Sequence, residues 1–224
     1  MPAVQGKVEV VEDPAEMVAE RLVAASGHVV LTGGSTPRKA YERAAELRHD
    51  WSGVIFWFSD ERCVPAEHDL SNFRMVDRAM LDIVSGPQVH RIEGEKGPTE
   101  AAELYAHELA AVFGDELPEV DLMLLGIGPD AHLCSLFPHA PALDEREEPV
   151  VGVEEAGMAP LVPRVTLTLP VVDAARELLF LVSGEDKAEA LERALGDPDP
   201  AAPASLVRNA GTTVFGDEAA ASRL

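Results

Sequence analysis

At 224 residues and 46% apolar content the chain is long enough to bury a sizeable core, and residues 1–224 are expected to form one α/β domain. Its formal charge of −22 offers no basic face to a phosphate backbone, so nucleic acid is excluded as a partner, and any anion site must be a local exception built from a few cations and backbone N–H groups. No apolar run reaches the roughly 18 residues of a membrane helix, the N-terminus lacks a charged-then-apolar leader, and Cys63 and Cys134 give neither a disulfide framework nor zinc spacing, which together point to a soluble, reduced, cytoplasmic protein without a membrane partner.

Residues 7–11 read as an opening strand, and Pro14 starts a helix that runs to about Ala25 with Met17, Val18, Leu22 and Ala25 on its apolar stripe. Residues 28–31 form a short buried strand followed by Thr32-Gly33-Gly34-Ser35-Thr36-Pro37, where Thr36 can cap and Pro37 can open a helix to about Leu47. A third buried strand at 54–58 delivers Ser59-Asp60-Glu61-Arg62 at its end. A helix from Ser71 or Asn72 should bury Phe73, Val76, Met80 and Ile83, a strand should follow at 88–92, and a helix from Thr99 carries Leu104, Tyr105, Leu109 and Val112 at helical spacing. Leu122-Met123-Leu124-Leu125 is too short for an amphipathic helix and reads as a strand buried on both faces, broken at Gly126 and Gly128.

The acidic stretch 140–157 reads as loop with one short strand, and 164–169 alternates as a half-exposed strand. Residues 177–182 form another buried strand, a helix runs from Lys187 through Leu195, 197–203 is a proline-rich connector, 212–215 is a last strand, and the tail from Asp217 suggests a short helix. Strands alternating with helices imply a mostly parallel sheet covered on both faces.

Three groups can carry chemistry. Gly33-Gly34-Ser35 lies between a buried strand and a helix N-terminus, where backbone N–H groups and the helix end favour phosphate. It lacks the lysine of the nucleotide-binding loop, and a plain tight turn fits it equally well. Asp60 and Arg62 stand at a strand end, with Asn72 and Arg74 downstream at the same mouth and Arg164 and Lys187 placed to meet an anion; a surface ion pair or a solvated cation would explain each alone. On the turn after the central strand stand Asp130 and His132. An imidazole titrates near pH 6.5, about right to accept a proton at neutral pH, and a carboxylate two residues away can orient it. No spacing supports a metal site, and Cys134 raises a Cys–His nucleophile that nothing else in the sequence favours.

Taken together these motifs resemble the 6-phosphogluconolactonases. The matching pieces are LTGGSTPRKAYE (31–42), FWFSDERCVPAEHDLSNFRMV (56–76), LLGIGPDAHLCSLFP (124–138), PRVTLTLPVV (163–172) and SGEDKAEAL (183–191), in the family's order over most of the chain. The resemblance implies a three-layer Rossmann-like sandwich and hydrolysis of 6-phospho-D-glucono-1,5-lactone in the oxidative pentose phosphate pathway, without metal or cofactor. The implied partner is a small sugar-phosphate lactone, met by a monomer or weak homo-oligomer. At matching positions Gly33, Gly34 and Ser35 with Arg164 and Lys187 would hold the phosphate, Arg62 the lactone end, and Asp130 and His132 would form the catalytic pair. One departure is plain: Ala131 stands where the family has glycine. A glucosamine-6-phosphate deaminase-like isomerase is the nearest alternative, but it resembles a family with a glutamate five residues past the histidine, where this chain has Phe137. A non-catalytic sugar-phosphate sensor would need the phosphate loop without the acid–base pair.

Overall fold

The computed structural model describes residues 6–114 and 116–224. The chain opens with β1 (Gly6–Val10) and α1 (Pro14–Ala24), then β2 (Gly27–Leu31), α2 (Ser35–Leu47), β3 (Val54–Phe58) and β4 (Asp60–Arg62). Next come α3 (Asn72–Val76), β5 (Gln88–Val89), α4 (Pro98–Phe113) and β6 (Leu122–Leu125). The last third holds β7 (Val150–Val153), β8 (Arg164–Leu167), α5 (Leu169–Ala174), β9 (Leu178–Val182), α6 (Ala188–Ala194) and β10 (Thr212–Gly216).

Seven strands form one parallel sheet in the order β1-β10-β9-β6-β2-β3-β5, and β4, β8 and β7 form a small antiparallel sheet. Every residue of β6 and β9 is buried, which requires cover on both faces, and helices flank the sheet as the alternation of elements implied. From β2 the chain steps outward through β3 to β5, whereas from β6 it steps the other way through β9 to β10. The order reverses between β2 and β6. In an open parallel sheet the crevice beyond the strand ends at such a reversal is where ligands bind.

Local chemistry explains the elements that frame this crevice. Asp13 caps α1 by accepting from the N–H groups of Ala15 (2.9 Å) and Glu16 (3.2 Å), with Pro14 just inside. Two tyrosines tie helices to strand ends. Tyr41 of α2 donates to the carbonyl of Thr32 and accepts from its N–H, and Tyr105 of α4 does the same at Phe58. Both hydroxyls are buried and fully used, so each ring contributes its apolar area without an orphaned polar atom. The Arg43–Glu16 pair between α2 and α1 is about 40% exposed (41%/37%) and adds little. Burial of residues such as Leu22, about 1.5–3 kcal/mol each, holds these helices down.

The structure corrects several expectations. The strand read at 164–169 stops at Leu167 and is buried throughout, because it lies in the small sheet with α4 packed against it; Leu169 already begins α5. Ile83 is 60% exposed, since a π-helical turn at Asp77–Leu81 adds rotation and carries it off the buried face. On α4 the buried face is Ala101, Ala102, Tyr105 and Leu109, while Leu104 and Val112 face outward. The strand at 88–92 pairs only over Gln88–Val89, and the tail from Asp217 forms turns.

Candidate active site

The residues at the β2–β6 reversal enclose a cleft of about 260 Å³. On one side, Gly33 and Gly34 follow β2. Helix α2 begins at Ser35, two residues earlier than Thr36 capping would allow, and Gly34 occupies the cap at φ 116°, a region open to glycine. No side chain caps this helix, so its first N–H groups are left for whatever occupies the cleft. Gly33 is required by a neighbour: a β-carbon there would lie 2.0 Å from Asn72 Oδ1.

On the other side, β6 ends at Leu125 and the chain turns through Gly126–His132. Gly128 N–H donates to the His132 carbonyl and Ala131 N–H to that of Gly128, both at 2.9 Å. The His132 ring lies so close that a β-carbon on Gly128 would stand 2.1 Å from Nδ1. Asp130 Oδ1 is 2.5 Å from His132 Nδ1 and also accepts the His132 backbone N–H at 3.2 Å. Burial alone would raise the Asp130 carboxyl, but the hydrogen bond and charge of His132 hold it below the ordinary range. An ionised carboxylate only accepts, so Nδ1 carries a proton, and in the neutral ring Nε2 is the nitrogen left to act as base. Ala131 has φ 65° and is fully buried, so this turn is left-handed at the position where glycine was expected, at a cost of about 1–2 kcal/mol.

The third wall is cationic. Arg62 on β4 and Arg164 on β8 are directly paired across two antiparallel strands, an arrangement that repels unless an anion lies between or above it. Arg62 donates to the Leu70 carbonyl (2.9 Å), and Arg164 to those of Val162 (3.2 Å) and Pro160 (2.9 Å). Burial, with Arg62 alongside, lowers the Arg164 guanidinium below its usual range. Lys187 enters from the turn after β9. Among the described residues none of these three has a carboxylate within ion-pair distance, although the chain has 40 acids against 18 Lys and Arg. Cations left unpaired by so acidic a chain are the strongest electrostatic sign of an anion site.

Asp60 and Asn72 form the floor. Asp60 is 5% exposed and accepts from Ser59 Oγ (3.0 Å), Asn72 Nδ2 (3.3 Å) and Ser135 Oγ (2.7 Å). With Asn72 Nδ2 also held by the Asp60 carbonyl at 2.9 Å, the Asn72 Oδ1 atom has no hydrogen-bond partner among the described residues. Glu61, read from the sequence only as a second acid at the strand end, is an anchor: its carboxylate accepts from the N–H groups of Arg62, Asn72 and Phe73 and from Ser71 Oγ, at 2.7–2.9 Å. Burial raises its carboxyl, and these donors oppose the rise.

Nine of the eleven expected residues line the cleft. Gly33, Gly34, Ser35, Asp60, Arg62, Asn72, His132, Arg164 and Lys187 do so, and Asp130 stands directly behind His132. Arg74 does not; α3 turns it toward Asp69, with which it pairs. Cys134 lines the cleft, but burial and the Asp60 carboxylate raise its thiol well above the ordinary range, which disfavours a thiolate. Among the described residues there is no group of three His, Cys, Asp or Glu suited to a metal ion. The sequence reading gave no role to Ser183 and Met158, which line the cleft, or to Ser135, whose hydroxyl donates to Asp60 at 2.7 Å.

Comparison with known proteins gives a consistent picture. The family model described as glucosamine-6-phosphate isomerases/6-phosphogluconolactonase matches residues 5–215. A 6-phosphogluconolactonase of Rattus norvegicus is 43% identical over 172 residues, 75% of this chain and 66% of that protein. One of Streptomyces coelicolor is 38% identical over 216 residues, 89% of this chain and 82% of that protein. Among solved structures, a 6-phosphogluconolactonase from Thermotoga maritima superposes with a TM-score of 0.82 at 30% identity, covering 95% of this chain and 99% of that one.

Proposed function

Since the chain belongs to the glucosamine-6-phosphate isomerase/6-phosphogluconolactonase family, we propose that it hydrolyses 6-phospho-D-glucono-1,5-lactone to 6-phospho-D-gluconate. The observation that carries this reading is a carboxylate-oriented imidazole sharing one cleft with three unpaired cations and an uncapped helix N-terminus. The phosphate binds at Gly33, Gly34 and Ser35 with Lys187 and Arg164, which fixes the lactone carbonyl relative to His132. Nε2 of His132 takes a proton from water as its oxygen attacks C1, and Asp130 stabilises the imidazolium that forms. The carbonyl oxygen gains negative charge, which Arg62 stabilises. The tetrahedral intermediate then collapses, the C1–O5 bond breaks, and the imidazolium returns its proton to the departing ring oxygen. Asp60 and Asn72 fix the floor on which the sugar lies. The side chain of Phe137, where the isomerase-like reading needs an acid, offers no second proton carrier and favours hydrolysis.

The test is acid release from freshly prepared lactone, with a protein-free blank because this ester also opens spontaneously. A rate above the blank that survives chelator treatment is expected. A rate equal to the blank, from folded protein, would refute the reading.

A further inference from the structure

We propose that Asp217 is a positioning residue that sets phosphate affinity through Lys187, an inference that rests on Lys187 being a phosphate contact. Asp217 follows β10 directly and lies outside the residues matched by the family model, which end at 215. Strands β10 and β9 are parallel neighbours with Gly216 opposite Val182, so Asp217 reaches the cleft end of the sheet beside Ser183. Its carboxylate accepts from Ser183 Oγ at 2.5 Å, from Gly184 N–H at 3.0 Å and from Ala220 N–H at 2.7 Å. Burial would raise this carboxyl, but these donors hold it below the ordinary range.

Those contacts fix the turn that carries the lysine. Gly184 has φ 99°, and Lys187 N–H donates to the Gly184 carbonyl at 3.0 Å, closing the turn at Glu185–Lys187. Ser183 and Lys187 both line the cleft, whereas Asp217 does not. One carboxylate therefore joins the C-terminal turn to the loop that delivers a cation. Without it, Ser183 and Gly184 lose their shared acceptor, and Lys187 is held only by its own short turn. A loose lysine costs ligand affinity, while the His132–Asp130 pair, to which Asp217 makes no hydrogen bond among the described residues, keeps its own contacts.

The experiment compares Asp217→Ala, Asp217→Asn, Lys187→Ala and the Lys187→Ala/Asp217→Ala double variant, each checked for folding by thermal unfolding. Kd for 6-phosphogluconate is measured by calorimetry, beside KM and kcat for the lactone. Asp217→Ala should raise Kd and KM about tenfold with kcat within about twofold. Asp217→Asn keeps an acceptor for the Gly184 N–H, and the Ser183 hydroxyl can reverse, so it should stay within about threefold of wild type. On the Lys187→Ala background, Asp217→Ala should add less than about twofold. An unchanged Kd in folded Asp217→Ala, fully multiplicative effects in the double variant, or a fall in kcat at constant KM would each overturn the proposal. Absence of lactonase activity in the wild type would instead refute the reading of the reaction, and a Kd unaffected by Lys187→Ala would remove the lysine contact itself.

Discussion

At the scale of single residues, the site depends on what Asp130 does for His132. Removing the imidazole with His132→Ala should lower kcat about 10²–10⁴-fold while binding of 6-phosphogluconate stays near wild type. Asp130→Asn is milder, because its amide oxygen can still accept from Nδ1–H and only the charge opposing the imidazolium is lost. That difference between a charged and a neutral acceptor corresponds to about tenfold in kcat. Asp130 also links the site to stability. Its folded carboxyl lies below the unfolded value of about 3.9, so its contribution is present above that pH and is lost as pH falls through the folded value. The stability gap between wild type and Asp130→Asn, read from urea unfolding, should be present at pH 7 and narrow below about pH 4. Ala131, next in the turn, is a compromise. Glycine would relieve about 1–2 kcal/mol of left-handed strain but would lose a buried methyl worth about 0.8 kcal/mol. Ala131→Gly should thus be neutral or stabilising by up to about 1 kcal/mol in the same unfolding measurement. A clear destabilisation would mean that the methyl fills a gap the turn cannot close.

At the scale of elements, Glu61 joins β4 to α3 and so fixes both Arg62 and Asn72. Glutamine cannot replace it without loss: either amide orientation sets an NH2 group against backbone N–H donors. Glu61→Gln should destabilise the protein by about 1–3 kcal/mol and raise KM, checked by urea unfolding and steady-state kinetics. The element level also separates what the sequence made legible from what it did not. Buried runs at 54–58 and 122–125, and the glycine turns after the strands, could be read directly because local pattern and burial agree there. So could most of the cleft residues from Gly33 to Lys187, because they sit at strand ends or at the helix starts that follow them. Alternation at 164–169 misled, since β8 is the middle strand of a second sheet with α4 packed against it, and no local signal announces that cover. Arg74 misled through proximity in sequence: one turn of α3 suffices to carry it to Asp69. The brace on the His132 turn was likewise hidden. Ala204 N–H donates to the Ala131 carbonyl at 2.9 Å from a connector some 70 residues away, a contact that only the folded chain creates.

At the scale of the whole molecule, a net charge of −22 sets a conflict between the protein's far field and its cleft. A phosphorylated lactone approaching from a distance meets repulsion from the excess of acids. Within the cleft it meets Arg62, Arg164, Lys187 and a helix N-terminus, all attractive at short range. Salt weakens the two at different rates. The screening length falls from about 30 Å at 0.01 M to about 10 Å at 0.1 M, which removes long-range repulsion before it touches contacts a few ångströms long. At about 1 M it is near 3 Å, and the attraction inside the cleft is screened as well. We therefore expect kcat/KM to rise with NaCl up to roughly 0.1 M and to fall above it. A steady decline from the lowest salt would mean that the cleft's field already outweighs the global charge at the distances where encounter is decided. Lys187→Ala should keep the rising limb, which belongs to the whole surface, and flatten the falling one, which belongs to the site.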